Sequence, residues 1–197
     1  MWPQWCAAVE RQLPAVHCLL VDSDSSDATN FSDLPVRWKL LRIAAADFNH
    51  GGTRSLALHH VPPGADVVVF MTQDALLTEP EALQKLVLAF ADPSVACAYG
   101  RQLPHEDATP IAAHARAFNY PTASHAVSMT DQPRLGLKTC FLSNSFAAYR
   151  LADLLAVGGF PTDVILGEDM SVTARLLMKG RRVAYVADAC VYHSHNY

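Results

Sequence analysis

Apolar residues fall along the chain in short runs, and a polar or turn-forming break follows each run at once. Val67-Val68-Val69-Phe70-Met71 is uninterrupted, β-branched and aromatic, and too short for a long buried helix, so it predicts a strand buried on both faces. Val16 to Val21 predicts a second strand and Val36 to Ile43 a third. Val95 to Tyr99, Leu137 to Leu142, Phe146 to Tyr149 and Arg181 to Val186 read as further strands. Helical spacing lies between them. Trp5, Ala8, Val9 and Gln12 share one face of a helix over Trp2 to Leu13, stopped before Pro14. Thr78-Glu79-Pro80-Glu81 has the form of a capping box, followed by Leu83, Leu86, Val87 and Phe90 at helical spacing. Short helices are expected after Gly51-Gly52, near Ile111 to Phe118 within a long loop from Pro104 to Arg134, and at Leu151 to Leu155 before Gly158-Gly159. Gly167-Glu168-Asp169-Met170 opens the last helix, with Met170, Ala174 and Leu177 on one face and Gly180 as its stop. This alternation predicts an α/β fold, in which residues 65–99 form a strand-helix-strand unit, right-handed by the usual rule.

Composition narrows the picture. A chain of 197 residues, 51% hydrophobic, is expected to form a single domain with a real core. A net charge of −4 without a long basic run argues against a sequence-independent grip on nucleic acid. Five scattered cysteines with no CxxC pair suggest reduced thiols and a cytoplasmic setting. No apolar run approaches the roughly 18 residues that span a bilayer, which leaves peripheral contact with the inner membrane face open.

The candidate chemistry lies where strands end. Asp74 follows Val67 to Met71, and Asp22 follows Val16 to Val21 within Asp22-Ser23-Asp24-Ser25-Ser26-Asp27. Acids there either start turns or meet a ligand, because open α/β sheets bind ligands at the carboxyl ends of their strands. Gly51-Gly52 before a short helix, with Arg54 on it, suits an anion such as a nucleotide diphosphate. Glu168 and Asp169 in a first turn would each gain about 0.3–1 kcal/mol from the helix dipole whatever else they do. His193 and His195 stand two apart on an extended end and point the same way, which permits one to ligate a metal or touch phosphate.

Read together, VDSDSSDAT, FNHGGTRS, VFMTQDALLTEP, YGRQLP, RAFNYP, FLSNSFAAYR, VGGFPTD, GEDM and YVADACVYHSHNY resemble the inverting family 2 glycosyltransferases, most closely the rhamnosyltransferase-like branch. The stretches keep the family's order over nearly the whole chain. The resemblance implies the GT-A fold of nucleotide-diphospho-sugar transferases, a Rossmann-like mixed sheet flanked by helices, with a nucleotide-binding half at 1–100 and an acceptor-binding half at 101–197. By the same resemblance Asp22 and Asp24 contact the donor base, Arg54 and Gln73 lie near the nucleotide diphosphate, and Asp74 with His193, less readily His195, holds a Mg2+ or Mn2+ ion. Thr72 replaces the first acid of the family's DxD motif, so Asp74 carries the direct metal contact. Asp169 would be the general base, and Glu168 and Asn144 would serve the acceptor. The implied partners are a dTDP- or UDP-linked sugar and a glycan or lipid-linked acceptor.

The chain also departs from the pattern. It starts inside what is the family's first helix and halts at HSHNY, so an N-terminally incomplete domain is expected, with unpaired sheet edges that invite association. A truncated, non-catalytic nucleotide-binding relative is the alternative reading. A sugar nucleotidyltransferase is disfavoured, since its Gly-rich, lysine-containing signature is missing near the N-terminus.

Overall fold

The computed structural model describes residues 2–26, 31 and 34–193, so Asp27 and His195 lie outside the described residues. The chain opens with helix α1 (Trp2–Glu10), then strand β1 (Cys18–Asp22), strand β2 (Trp38–Arg42), helix α2 (His50–Leu58) and strand β3 (Val67–Met71). Short β4 (Leu76–Leu77), helix α3 (Ala82–Val87) and the long strand β5 (Val95–Leu103) follow. Helix α4 (Pro110–Asn119), strand β6 (His125–Val127), helix α5 (Gln132–Leu135) and strand β7 (Phe146–Arg150) lead to helices α6 (Leu151–Ala156) and α7 (Glu168–Met178) and the final strand β8 (Arg182–Tyr192).

The main sheet runs β3-β7-β5-β8-β4, with β6 also on β8, while β1 and β2 pair in parallel as a separate two-stranded sheet. The six-stranded sheet is mixed, because β5 and β8 are parallel and β7 runs against both β3 and β5. Residues on each strand alternate between two cores. Ala98, Phe146, Ala148 and Ala184 face a layer built from Trp5, Val9, Leu83 and Leu86 of α1 and α3. Tyr99, Ala147, Tyr149 and Tyr185 face the opposite layer of Leu154, Val172, Leu176 and Leu177 from α6 and α7. The result is a sheet flanked by helices on both faces. Among the described residues no helix is long and apolar enough to cross a membrane.

Several expectations needed correction. Val67 to Met71 is not buried on both faces: all its residues are half-buried, and among the described residues β3 pairs only with β7. An apolar run reports hydrophobicity but not whether both sides are covered. The 65–99 unit exists, yet β7 is inserted between β3 and β5. The capping box does not form. Thr78 donates its hydroxyl to the Cys190 carbonyl at 3.2 Å, and the buried Gln12 side chain accepts instead from the Leu83 N–H at 3.0 Å in the first turn of α3. Leu137 to Leu142 is largely a 3-10 helix (Gly136–Cys140), closed by the Thr139 hydroxyl donating to the Gly136 carbonyl at 2.8 Å. The buried face of α7 is Val172, Thr173, Leu176 and Leu177, so Met170 and Ala174 are displaced from the expected stripe.

The strand expected at Val95 to Tyr99 does not stop there but continues through Gly100 to Leu103 as β5. Its pairing with β8 jumps register, from Gly100 opposite Val186 to Arg101 opposite Cys190. Gly100 is required at the jump. A Cβ there would lie 2.3 Å from the Phe146 ring and 2.5 Å from the Ala189 carbonyl oxygen. Both obstacles sit in the closed interior, so neither can move aside easily. Gly100→Ala should therefore destabilise the fold by about 1–3 kcal/mol, read as a lower urea midpoint; an unchanged midpoint would show that the interior relaxes around the methyl.

Candidate active site

The β3–β7 pairing brings two loops side by side. Met71 lies opposite Phe146, and the Thr72 N–H continues the ladder by donating to the Ser145 carbonyl at 3.4 Å. The loop holding Asp74 is also fastened from outside the sheet, since Trp5 on α1 donates its indole N–H to the Thr72 carbonyl at 3.1 Å. On the other strand of this neighbourhood, the His193 N–H donates to the Leu103 carbonyl at 2.8 Å, extending β8 by one residue beyond Tyr192. Sequence-distant segments thus converge on one end of the sheet.

At that end Asp74 Oδ2 stands 3.3 Å from His193 Nε2. The Thr72 hydroxyl donates to the other oxygen, Asp74 Oδ1. Burial opposes the Asp74 charge, but the hydrogen bonds from His193 and Thr72 and the attraction of the imidazole outweigh it and hold the carboxyl well below the usual carboxylate range. An acid so placed remains an anion. Gln73 beside it is exposed.

His193 is buried and leads inward. Its Nδ1 lies 2.9 Å from Gln102 Oε1, and the same oxygen accepts from Arg116 Nη1 at 2.6 Å. The Gln102 amide donates through Nε2 to Ser143 Oγ at 3.2 Å. One residue further on, the Asn144 N–H donates to Asp169 Oδ2 at 3.3 Å, while the Met170 N–H donates to Asp169 Oδ1 at 2.7 Å. Asp74, His193, Gln102, Ser143, Asn144 and Asp169 therefore form one continuous polar seam.

Asp169 contrasts with Asp74. Burial raises its pKa, the neighbouring Glu168 charge raises it further, and the two main-chain N–H bonds and Arg54 recover only part of the shift. Glu168 is buried and forms a 2.5 Å ion pair with Arg54 Nη1, which ties α7 to α2. Arg54 also donates to the His50 carbonyl at 3.2 Å. Asn144 is buried as well: its Oδ1 accepts from the Tyr149 hydroxyl at 2.8 Å, and its Nδ2 makes no hydrogen bond. Asp22 is buried at the end of β1, where it accepts from the Ser25 N–H at 3.2 Å and lies 3.9 Å from Arg42 Nε. Asp24 is exposed with a left-handed φ of 60°. The structure brings Asp74 together with His193, and Asp169 together with Glu168, Asn144 and Arg54. No contact among the described ones joins Asp22 or Asp24 to that seam.

Sequence reasoning missed Gln102, Arg116 and Ser143. Gln102 left one signal. It lies two residues beyond Gly100 and four beyond Ala98 on one strand face, so a polar side chain points where the interior should be apolar.

The donor set suits a hard divalent cation, since Asp74 offers a carboxylate oxygen and His193 an imidazole nitrogen. Among the described residues no cluster of three or more His, Cys, Asp or Glu could hold a metal. A two-ligand site of this kind would draw its remaining oxygens from water and phosphate, as magnesium sites commonly do.

The family model described as "Glycosyl transferase family group 2" matches residues 67–197. The O-antigen chain rhamnosyltransferase RfbN of Salmonella typhimurium is 46% identical over 200 residues, covering 100% of this chain and 63% of that protein. The chain thus spans under two thirds of the length of this relative. The mannosyltransferase PcManGT from Pyrobaculum calidifontis, solved with GDP-Man and Mn2+, superposes with a TM-score of 0.67 at 20% identity, covering 98% of this chain and 52% of that one. S. aureus TarS 1-349 with UDP-GlcNAc gives a TM-score of 0.71 at 17% identity, covering 98% and 54%. These solved structures share the fold, the GT-A arrangement expected from the sequence.

The raised carboxyl of Asp169 has a stability consequence of definite sign. Its pKa is higher folded than unfolded, so its contribution favours the fold below the unfolded carboxylate range and is lost as pH rises through the folded value. Asp169→Asn should raise the urea midpoint at about pH 7, and the gain should vanish as pH falls below about 4. A difference independent of pH would show that Asp169 ionises without strain.

Proposed function

Because the chain belongs to glycosyl transferase family group 2, we propose that it transfers a sugar, rhamnose on the pattern of its relatives, from a nucleoside diphosphate to a glycan or lipid-linked acceptor with inversion. The observation that carries this reading is the seam itself, which links an acid held anionic at one end to an acid pushed toward basicity at the other. Groups whose environments drive their pKa values apart are suited to different tasks in one reaction.

In this reading the residues divide the work. Asp74 and His193 hold Mg2+ or Mn2+ against the donor diphosphate, with Gln73 beside them. When bound, the cation would neutralise charge on the departing diphosphate. Asp22 and Asp24 meet the donor's nucleobase, and the 1–100 half supplies most of the donor contacts while 101–197 supplies the general base Asp169 and the acceptor side. Asp169 accepts the proton of the acceptor hydroxyl as its oxygen bonds to the anomeric carbon and the bond to the diphosphate oxygen breaks. The Arg54–Glu168 pair and Asn144 border that carboxylate, with the Asn144 amide available to an acceptor hydroxyl. A non-catalytic nucleotide binder has less support, since the relatives are named as transferases and the base is anchored and shifted in pKa.

Calorimetric titration with dTDP and UDP, with and without manganese, tests the donor end. Asp74→Asn should abolish the manganese-dependent part of nucleotide binding, and equal affinity with and without the metal would remove Asp74 from the site. Asp169→Asn should keep donor binding and lower acceptor-dependent diphosphate release by about 10²–10⁴-fold. Undiminished release would leave Asp169 as a helix-dipole acid.

A further inference from the structure

The contact between Gln102 and His193 fixes more than a distance. Arg116 carries only N–H donors, so the Gln102 atom 2.6 Å from Arg116 Nη1 must be the carbonyl oxygen. His193 Nδ1 lies 2.9 Å from that same oxygen, which has no proton to give. Nδ1 must therefore be the donor. The Gln102 amide nitrogen is turned the other way, toward Ser143 Oγ at 3.2 Å, and this agrees with the same orientation. Arg116 is itself steadied against the Tyr120 ring, 5.9 Å from its centroid. Gln102 and His193 are both buried, so water does not offer the ring a competing acceptor at Nδ1.

With Nδ1–H committed inward, Nε2 is the ring nitrogen left to face Asp74 Oδ2, at 3.3 Å. In the metal-free chain Nε2 donates to Asp74, and a divalent cation that displaces that proton would take the nitrogen lone pair and the carboxylate oxygen together. The spacing also matches the edge of a coordination shell with bonds of about 2.1 Å, whose adjacent ligands stand roughly 3 Å apart. We propose that Gln102, oriented by Arg116, is a positioning residue that locks His193 in its Nδ1–H tautomer and so makes Nε2, beside Asp74, a ligand for the divalent cation. This rests on the reading of Asp74 and His193 as a metal pair. Hydrogen-bond partners of metal-ligating imidazoles commonly change metal affinity by about 10–100-fold when removed.

The assignment is tested by ¹⁵N NMR of the histidine rings in the metal-free chain, titrated until His193 is neutral, together with Mn2+ binding followed by electron paramagnetic resonance. Wild type should carry the neutral-ring proton on Nδ1. Gln102→Leu, which keeps bulk but removes the acceptor, should move that proton to Nε2 and weaken Mn2+ binding by about 10–100-fold. Gln102→Glu, which retains an oxygen facing Nδ1–H and Arg116, should restore both the tautomer and most of the affinity. A purely structural role for Gln102 would alter neither the tautomer nor its rescue by Glu. An Nε2–H ring in wild type, or an unchanged tautomer and affinity in a folded Gln102→Leu, would overturn the proposal. Wild type showing the Nδ1–H ring with no Mn2+ binding would uphold the tautomer lock and overturn the metal reading instead.

Discussion

The site depends on a register jump between two parallel strands. From Val183 to Val186, β8 pairs with β5 in step, and after the jump at Gly100 it resumes three residues out of phase, with Cys190 opposite Arg101. Without that offset the His193 N–H would not meet the Leu103 carbonyl, nor its ring Gln102. The offset in turn needs the Ala189 carbonyl and the Phe146 ring to close over a residue with no side chain. Packing at an apolar point of the sheet thus sets the position of a polar group several residues away. Irregularities of this kind are common next to active sites because they re-aim a side chain without disturbing the rest of the ladder.

Charge is distributed around this frame in two different ways. At the Asp74 end, hydrogen bonds and an imidazole stabilise the anion despite burial. At the Asp169 end, a like charge adds to burial, and Arg54 is already committed to Glu168. A buried ion pair adds little net stability because desolvation offsets most of its attraction. The Arg54–Glu168 pair is better understood as a fixed local field, which leaves a negative charge beside Asp169 while keeping Glu168 itself satisfied. The fold accommodates an unfavourable carboxylate at Asp169 and a favourable one at Asp74.

Much of this was legible in the sequence, for local reasons. Helices α2, α4, α6 and α7 lie where Gly51-Gly52, the stretch from Ile111 to Phe118, the Gly158-Gly159 stop and Gly167 predicted them, and Asp74 marked the end of β3. What was hidden is long-range. Val67 to Met71 could not reveal that, among the described residues, one edge of β3 has no neighbour, and Thr78 could not reveal that Gln12 would take over its capping role. What Gln102 contacts was hidden because its partners Arg116 and His193 lie 14 and 91 residues away. Local pattern encodes elements, whereas the seam exists only after the sheet has been assembled.

The two ends of the seam are anchored by different kinds of atom. His193 is held by the Gln102 side chain, whereas Asp169 is gripped by the main-chain N–H groups of Asn144 and Met170. Side-chain substitution removes the first kind of anchor but leaves the second intact. An alanine scan would therefore chart the histidine end in detail and pass over what holds the carboxylate.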